Sequence, residues 1–306
     1  MSKLILHHFD LSPFAEKVRL IFGLKQLAWA SVEIPLVMPK PGLTALTGGY
    51  RKTPVLQIGA DVYCDTRLIA TELERRFPER TLFPDGNQGL TLALTAWSDV
   101  AFFNPGAGLS MGLNKRGLPE AILNDRKAFF NFMDFETLEA QIPQLATQLR
   151  AHADLVEQQL ADGRRFLLGD TPSFVDISAY FSVWMARGNV HIAGTLFAGF
   201  KHLAAWESRM QAVGHGTRSE LSVEEAHAIA RAQVPESSLG VDSADPYELT
   251  FGEAVTVAAD DYGKDPVLGT LVTLNIREVV IRREDPAVGV VHVHFPRIGY
   301  RVDRAA

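Results

Sequence analysis

Hydrophobic and polar positions change their period twice along the chain. In the first eighty residues short apolar runs alternate with helical patterns. "KLILHHF" reads as a strand, and from Phe14 the positions Phe14, Val18, Ile21 and Phe22 share one helical face while Glu16, Lys17 and Arg19 point away. "ASVEIPL" (30–36) is a second strand, and "VMPKPGLTALTGGYRK" reads as a loop with room for one helical turn. "TPVLQI" and "DVYC" form a hairpin about Gly59-Ala60. "DTRLIATELERRFP" then carries Leu68, Ile69, Leu73 and Phe77 at helical spacing, with Pro78 as the stop.

The order strand, helix, strand, loop, strand, strand, helix joins a βαβ unit to a ββα unit. It predicts an α/β domain of thioredoxin-like order over residues 1–80. From 88 to 215 the period becomes helical throughout, which predicts an all-α domain. Within it Leu138, Ile142, Leu145, Leu149, Val156 and Leu160 fall in steps of three and four, and Pro143 either kinks that helix or marks its start. Ser173 and Asp176 have capping-box spacing ahead of another buried helix. Residues 216–306 change again: a short amphipathic helix, a linker-like "PESSLGVDSADP", then strand-like runs. Turn signals at Asp260–Gly263 and Asp285-Pro286 separate those runs, and a slip of the apolar set between Ile276 and Val279 suggests a bulge or corner. This last part is expected to be a small, mostly-β extension, a barrel or a curled sheet.

Composition narrows the field. With 47% hydrophobic and 22% charged residues, the 306-residue chain is ordinary for a globular protein. A formal net charge of -6 without basic runs argues against nucleic acid as a partner. No stretch has the length of a membrane span or of a signal-peptide core, and the single cysteine, Cys64, fits a reducing compartment. The expectation is a cytoplasmic protein without a membrane partner.

Three short motifs could carry chemistry. Ser12-Pro13 opens the first helix; the serine is either an ordinary cap or, with the helix N-terminus, a seat for an anion. Thr53-Pro54 opens the third strand; the proline is either trans or a cis turn that frees the Thr53 backbone to pair with an extended ligand. Asp65-Thr66 opens the last helix of the domain, as a cap or as a clamp for the two charged ends of an amino acid.

Ser-Pro-Phe after the first strand, Thr-Pro-Val-Leu at the third, and Asp-Thr eleven residues past that proline together resemble the glutathione S-transferases, specifically serine-type, bacterial-like members. "PSFVDISAY" in the helical region is similar to the family's second domain, so the resemblance covers roughly residues 1 to 215. The resemblance implies that Ser12 stabilises the glutathione thiolate, that Thr53 before a cis Pro54 pairs with the cysteinyl unit, and that Asp65 and Thr66 hold the γ-glutamyl end. Lys40 falls near a lysine that in some classes meets the glycyl carboxylate. It further implies a homodimer with no permanently bound cofactor, glutathione being a co-substrate. The activity implied is transfer of glutathione to a small apolar electrophile, or reduction of organic hydroperoxides. A non-catalytic binding or protein-interaction module on the same fold is the alternative, and a glutathione-dependent isomerase or dehalogenase a third reading. Thr66 stands where serine is commoner, and no cysteine neighbours Ser12, which argues against disulfide exchange.

Trp97, Phe102, Phe103 and Met111 are candidates for the second-substrate pocket, and Asp99 for a reach across a dimer to the glutathione amine. Cys64 is expected to be a buried structural thiol. His7, His8, His292 and His294 read as satisfied histidines, and no metal site is expected.

Overall fold

The computed structural model describes residues 2–305, which form two compact units that do not follow chain order. One gathers residues 2–15, Ala28–Glu72 and residues 217–305, the other Glu16–Leu27 and Leu73–Gly216.

The first unit is organised on one sheet. Strand β1 (Leu4–His8) pairs parallel with β2 (Ala28–Glu33) and antiparallel with β3 (Val55–Ile58), which turns back as the hairpin strand β4 (Asp61–Cys64). Every residue of β1, β3 and β4 is buried, the polar His7, His8, Gln57 and Asp61 included, so these strands show no alternation between a buried and an exposed face. Helices α1 (Pro13–Leu24) and α3 (Thr66–Arg76) begin where the sequence pattern starts them. Between β2 and β3, the region read as a loop with one turn holds a seven-residue helix, α2 (Pro41–Thr47). Pro41 at its first position and Gly48 at φ 79 as its C-cap account for a helix that low propensity had obscured.

The sheet does not stop at β4. Its order is β11-β7-β8-β9-β10-β4-β3-β1-β2-β5, with β6 (Gly240–Val241) beside β8. Strand β5 (Thr217–Glu220) extends it parallel to β2, and β10 (Gly289–Pro296) lies parallel to β4. Strands β7 (Ala254–Ala259), β8 (Val267–Leu274), β9 (Glu278–Asp285) and β10 form an antiparallel meander, and β11 (Tyr300–Arg304) returns antiparallel to β7. The mostly-β extension thus curls back on itself, and it is continuous with the N-terminal sheet rather than a unit set apart at 216. Burial explains this: Ile34, Leu43, Leu46, Val55, Val62 and Cys64 share one core with Val257, Leu271, Ile281, Val293, Phe295 and Val302. The slip at Ile276 is a hairpin turn, not a bulge; Asn275 Oδ1 accepts from the N–H groups of Arg277 (2.8 Å) and Glu278 (3.1 Å). A separate register shift falls inside β8, between Leu271 and Thr273.

The second unit is helical: α4 (Gln88–Ala96), α5 (Phe103–Asn114), α6 (Glu120–Phe129), α7 (Ile142–Gln159), α8 (Phe174–Asn189), α9 (Ala193–Leu196) and α10 (Lys201–Gln211). A π-helical segment, Trp97–Phe102, joins α4 to α5. Pro105 follows it at the third position of α5 and cannot donate to the Ala101 carbonyl, which accounts for the widened turn. Pro143 stands at the second position of α7 and marks its start, so Leu138 is buried from the preceding turn and not from the helix. The capping box at α8 is formed: Ser173 donates its N–H (2.9 Å) and hydroxyl (2.7 Å) to Asp176 Oδ2.

Candidate functional site

Strand register brings the three sequence motifs to one end of the sheet. His7 stands opposite Val55 and Val55 opposite Cys64, so the end of β1, the start of β3 and the end of β4 are neighbours. Ser12, Thr53-Pro54 and Asp65-Thr66 continue from those three strand ends.

Each motif has a local reason for its shape. The Ser12 N–H donates to the Phe9 carbonyl (3.0 Å), closing a tight turn, and Ser12 Oγ accepts the Ala15 N–H at 3.2 Å. Ser12 is 3% exposed. A hydroxyl used as an acceptor still has its own proton to donate. The Thr53–Pro54 peptide is cis. Asp65 takes φ 77, in the left-handed region that non-glycine residues seldom occupy. Its Oδ1 accepts the Arg67 N–H (2.8 Å) while its carbonyl accepts from Ile69 (3.0 Å), so it caps α3. Thr66, buried, is the first helical residue.

Two lysines around these motifs are engaged from within. Lys40, 5% exposed, donates to the Arg51 carbonyl (3.2 Å) and to Thr53 Oγ1 (3.1 Å), and stands 5.7 Å from the Phe9 ring. It braces the 51–53 segment. Lys52 pairs with Asp261 at 2.5 Å and lies 4.2 Å over the Tyr262 ring. The Cys64 thiol is buried, and burial followed by the Asp65 charge pushes its pKa well above the usual value, which makes it an inert, protonated core group.

His7, His8 and His294 each hydrogen-bond within the fold, while His294 Nδ1 is buried with no hydrogen-bond partner. His7 hydrogen-bonds Gln57 (2.9 Å) and burial lowers its pKa to about 4; His8 pairs with Ser31 (3.0 Å). His294 stacks on Tyr63 at 4.4 Å and donates to Asp61 Oδ1 at 2.9 Å. Burial alone would lower its pKa, but Asp61 and Glu278 outweigh that and raise it. Among the described residues no three His, Cys, Asp or Glu side chains gather as a metal site.

The second-substrate candidates belong to the helical unit and divide in two. Phe102 and Phe103 are core residues at 0% and 3% exposure, Phe103 stacked on Phe181. They pack inward, Phe102 against His152 of α7 and Phe103 against Phe181 of α8. Trp97 and Met111 stay half-buried, and Trp97 donates to His152 Nδ1 (3.1 Å). Asp99 accepts twice from the buried Lys17 ammonium, at 2.7 and 2.9 Å, and is thus engaged within its own chain.

Sequence reading passed over two contributors. Lys52, beside Thr53, was legible as a basic residue next to the site. Tyr300 had no local signal: its hydroxyl lies 3.4 Å from Asp65 Oδ2 and 2.9 Å from the Tyr50 hydroxyl.

Comparison with known proteins bears on the family and the fold. The N-terminal domain of glutathione S-transferases matches residues 6–81, and the C-terminal domain of the same family matches residues 139–209. A GST-like protein from Pseudomonas syringae has a similar structure over 100% of both chains, with 38% identity and a TM-score of 0.80. A glutathione S-transferase from Rhodospirillum rubrum shares the fold at 22% identity and TM-score 0.54, over 68% of this chain and 88% of its own. FzlA from C. crescentus does so at 23% identity and TM-score 0.51, over 69% and 88%. No match is found among the curated proteins. The chain belongs to the glutathione S-transferase family. No helix among its described residues is long and apolar enough to cross a membrane.

Proposed function

We propose that this protein is a glutathione transferase that binds reduced glutathione across the ends of β1, β3 and β4 and transfers its thiolate to a small apolar electrophile. The observation that carries the reading is the convergence of Ser12, Thr53-Pro54 and Asp65-Thr66 at one sheet end. In this reading the Ser12 hydroxyl donates to the glutathione sulfur. The N-terminus of the twelve-residue α1 adds its positive dipole end. Both favour the thiolate and lower the thiol pKa from about 8.5. The Thr53 backbone pairs with the cysteinyl unit. Asp65 takes the γ-glutamyl ammonium, and Thr66 with the α3 N–H groups takes the α-carboxylate. Lys40 acts through Thr53 instead of meeting the glycyl carboxylate. The bound thiolate then adds to an electrophilic carbon; with an organic hydroperoxide it attacks oxygen and a second glutathione thiol completes the reduction to alcohol, water and glutathione disulfide. The protein acts as a homodimer in the cytoplasm.

Titration calorimetry of reduced glutathione into the protein and into Asp65→Ala tests the binding half. Binding that the substitution abolishes supports the clamp, whereas a wild-type protein that takes up no heat refutes it. Conjugation assays on Ser12→Ala test the chemistry: turnover should collapse while glutathione affinity is kept.

A further inference from the structure

The extension reaches the candidate site through a chain of contacts along residues 45–65. Strand β10 lies parallel to β4, with His294 opposite Tyr63, so both strands end at the sheet end where Asp65 begins α3. Residues 297–299 then turn the chain and deliver Tyr300, 5.6 Å from Phe295 between ring centres. Tyr300 is 6% and Tyr50 5% exposed, so each buried phenol needs a partner.

Their geometry sets the direction of the protons. If Tyr300 donated to Tyr50, it would turn a lone pair toward the Asp65 carboxylate oxygen 3.4 Å away. The favourable order is Tyr50 donating to Tyr300 (2.9 Å) and Tyr300 donating to Asp65. Burial, and then the nearby Cys64 and Asp65 or the partner phenol, raise both phenol pKa values, so both protons are present. With Arg67 N–H on Oδ1 and Tyr300 on Oδ2, both carboxylate oxygens are restrained. Each retains lone-pair capacity for a further donor.

The neighbouring segment is held by the same extension. Arg283 of β9 donates to the Ala45 carbonyl (3.4 Å), its guanidinium lying against Gly48. Asp261 pairs with Lys52, Tyr262 lies under its ammonium, and Asp265 stands 4.0 Å from Arg51. We propose that the C-terminal extension is part of the glutathione site, with Tyr300 as the residue that positions the Asp65 carboxylate and Asp261 the residue that positions Lys52. The proposal rests on the glutathione reading above. Restraint before binding lowers the entropy that the ligand must offset, so the extension acts on affinity and on the γ-glutamyl end, not on the thiol chemistry.

The test compares wild type, Tyr300→Phe and Asp261→Asn in calorimetric titrations with reduced glutathione and with cysteinylglycine, which lacks the γ-glutamyl unit. Tyr300→Phe should weaken glutathione about three- to tenfold, the worth of one long hydrogen bond to the carboxylate. It should leave cysteinylglycine binding and kcat at saturating glutathione unchanged. Asp261, on an exposed loop, provides a variant that does not put the core at risk; Asp261→Asn frees Lys52 and with it the adjoining Thr53 that pairs with the cysteinyl unit, and should weaken glutathione in the same direction. Wild-type affinity in both variants, or equal loss of both ligands in Tyr300→Phe, overturns the positioning role and leaves the transferase reading standing. A wild-type protein that binds no glutathione overturns both.

Discussion

Two aspartates open helices in this molecule, one in each unit, and they are used differently. Asp176, at the start of α8, is fully buried and accepts four hydrogen bonds: Leu167 N–H (2.7 Å), Trp206 Nε1 (3.0 Å), and the Ser173 N–H and hydroxyl. Burial raises its pKa against the lowering effect of those donors. Asp65, at the start of α3, is half-buried and meets one local donor and one long contact from Tyr300. A carboxylate saturated by its own fold ties elements together and has nothing left to offer. One with fewer donors, at a strand end beside Ser12, retains capacity for a ligand's ammonium. Helix-capping sequence looks alike in both places; the number of donors that converge separates scaffold from site.

The comparison can be broken at its stronger end first. Asp176→Ala leaves Leu167 N–H, Ser173 N–H and Trp206 Nε1 buried without their acceptor, and should cost about 3–5 kcal/mol in urea unfolding. A loss below about 1 kcal/mol would mean that Asp176 is not the tie it resembles. At the site, Ser12→Ala should lower turnover about 100-fold, as expected for one donor to a developing or stabilised anion, with glutathione affinity held. Asp65→Asn keeps the cap and suits the left-handed backbone, so it should leave stability within about 0.5 kcal/mol and still weaken glutathione about tenfold or more. If Asp65→Asn unfolds the protein as readily as Asp176→Ala does, the distinction between the two carboxylates fails.

The smallest effect concerns the seam between β4 and β10. Because the folded pKa of His294 is raised, its ion pairs contribute fully below the unfolded value near 6.5 and are lost as pH rises through the folded value. The groups facing it are Asp61, Glu278, Tyr63 and His292, and burial lowers the pKa of His292. His7 and His292, whose pKa values burial lowers, add stability over the same range, so the His294 share is read as the Tm difference between wild type and His294→Gln, which should shrink from pH 6 toward alkaline pH. A difference that grows over this range would contradict the assignment.

Much of the site was legible because its parts are local. Ser12 caps a helix three residues on, Asp65 caps one two residues on, and the β3–β4 hairpin closes through Gly59-Ala60. Residue type and spacing suffice for such features. Where sequence reading fell short, the deciding partner was distant or the signal mixed. Helix α2 was hidden by its prolines and glycines. Phe102 and Phe103 carry the same apolar signal whether they line a pocket or fill a core, and only packing against α7 and α8 separates the two. Asp99 was open to any basic partner until Lys17, 82 positions earlier, took it.

By itself the sequence determined where α1, α3 and α8 start and that three short motifs stand at the openings of α1, β3 and α3, since these depend on neighbours within a few positions. Tertiary structure alone decided that β10 lies against β4, that the extension shares the core of the N-terminal sheet, and that Tyr300 meets Asp65 across 235 positions. Parallel pairing between distant strands leaves no local mark: apolar runs of equal length can pair in many orders, and the one adopted buries the most surface for the whole chain at once.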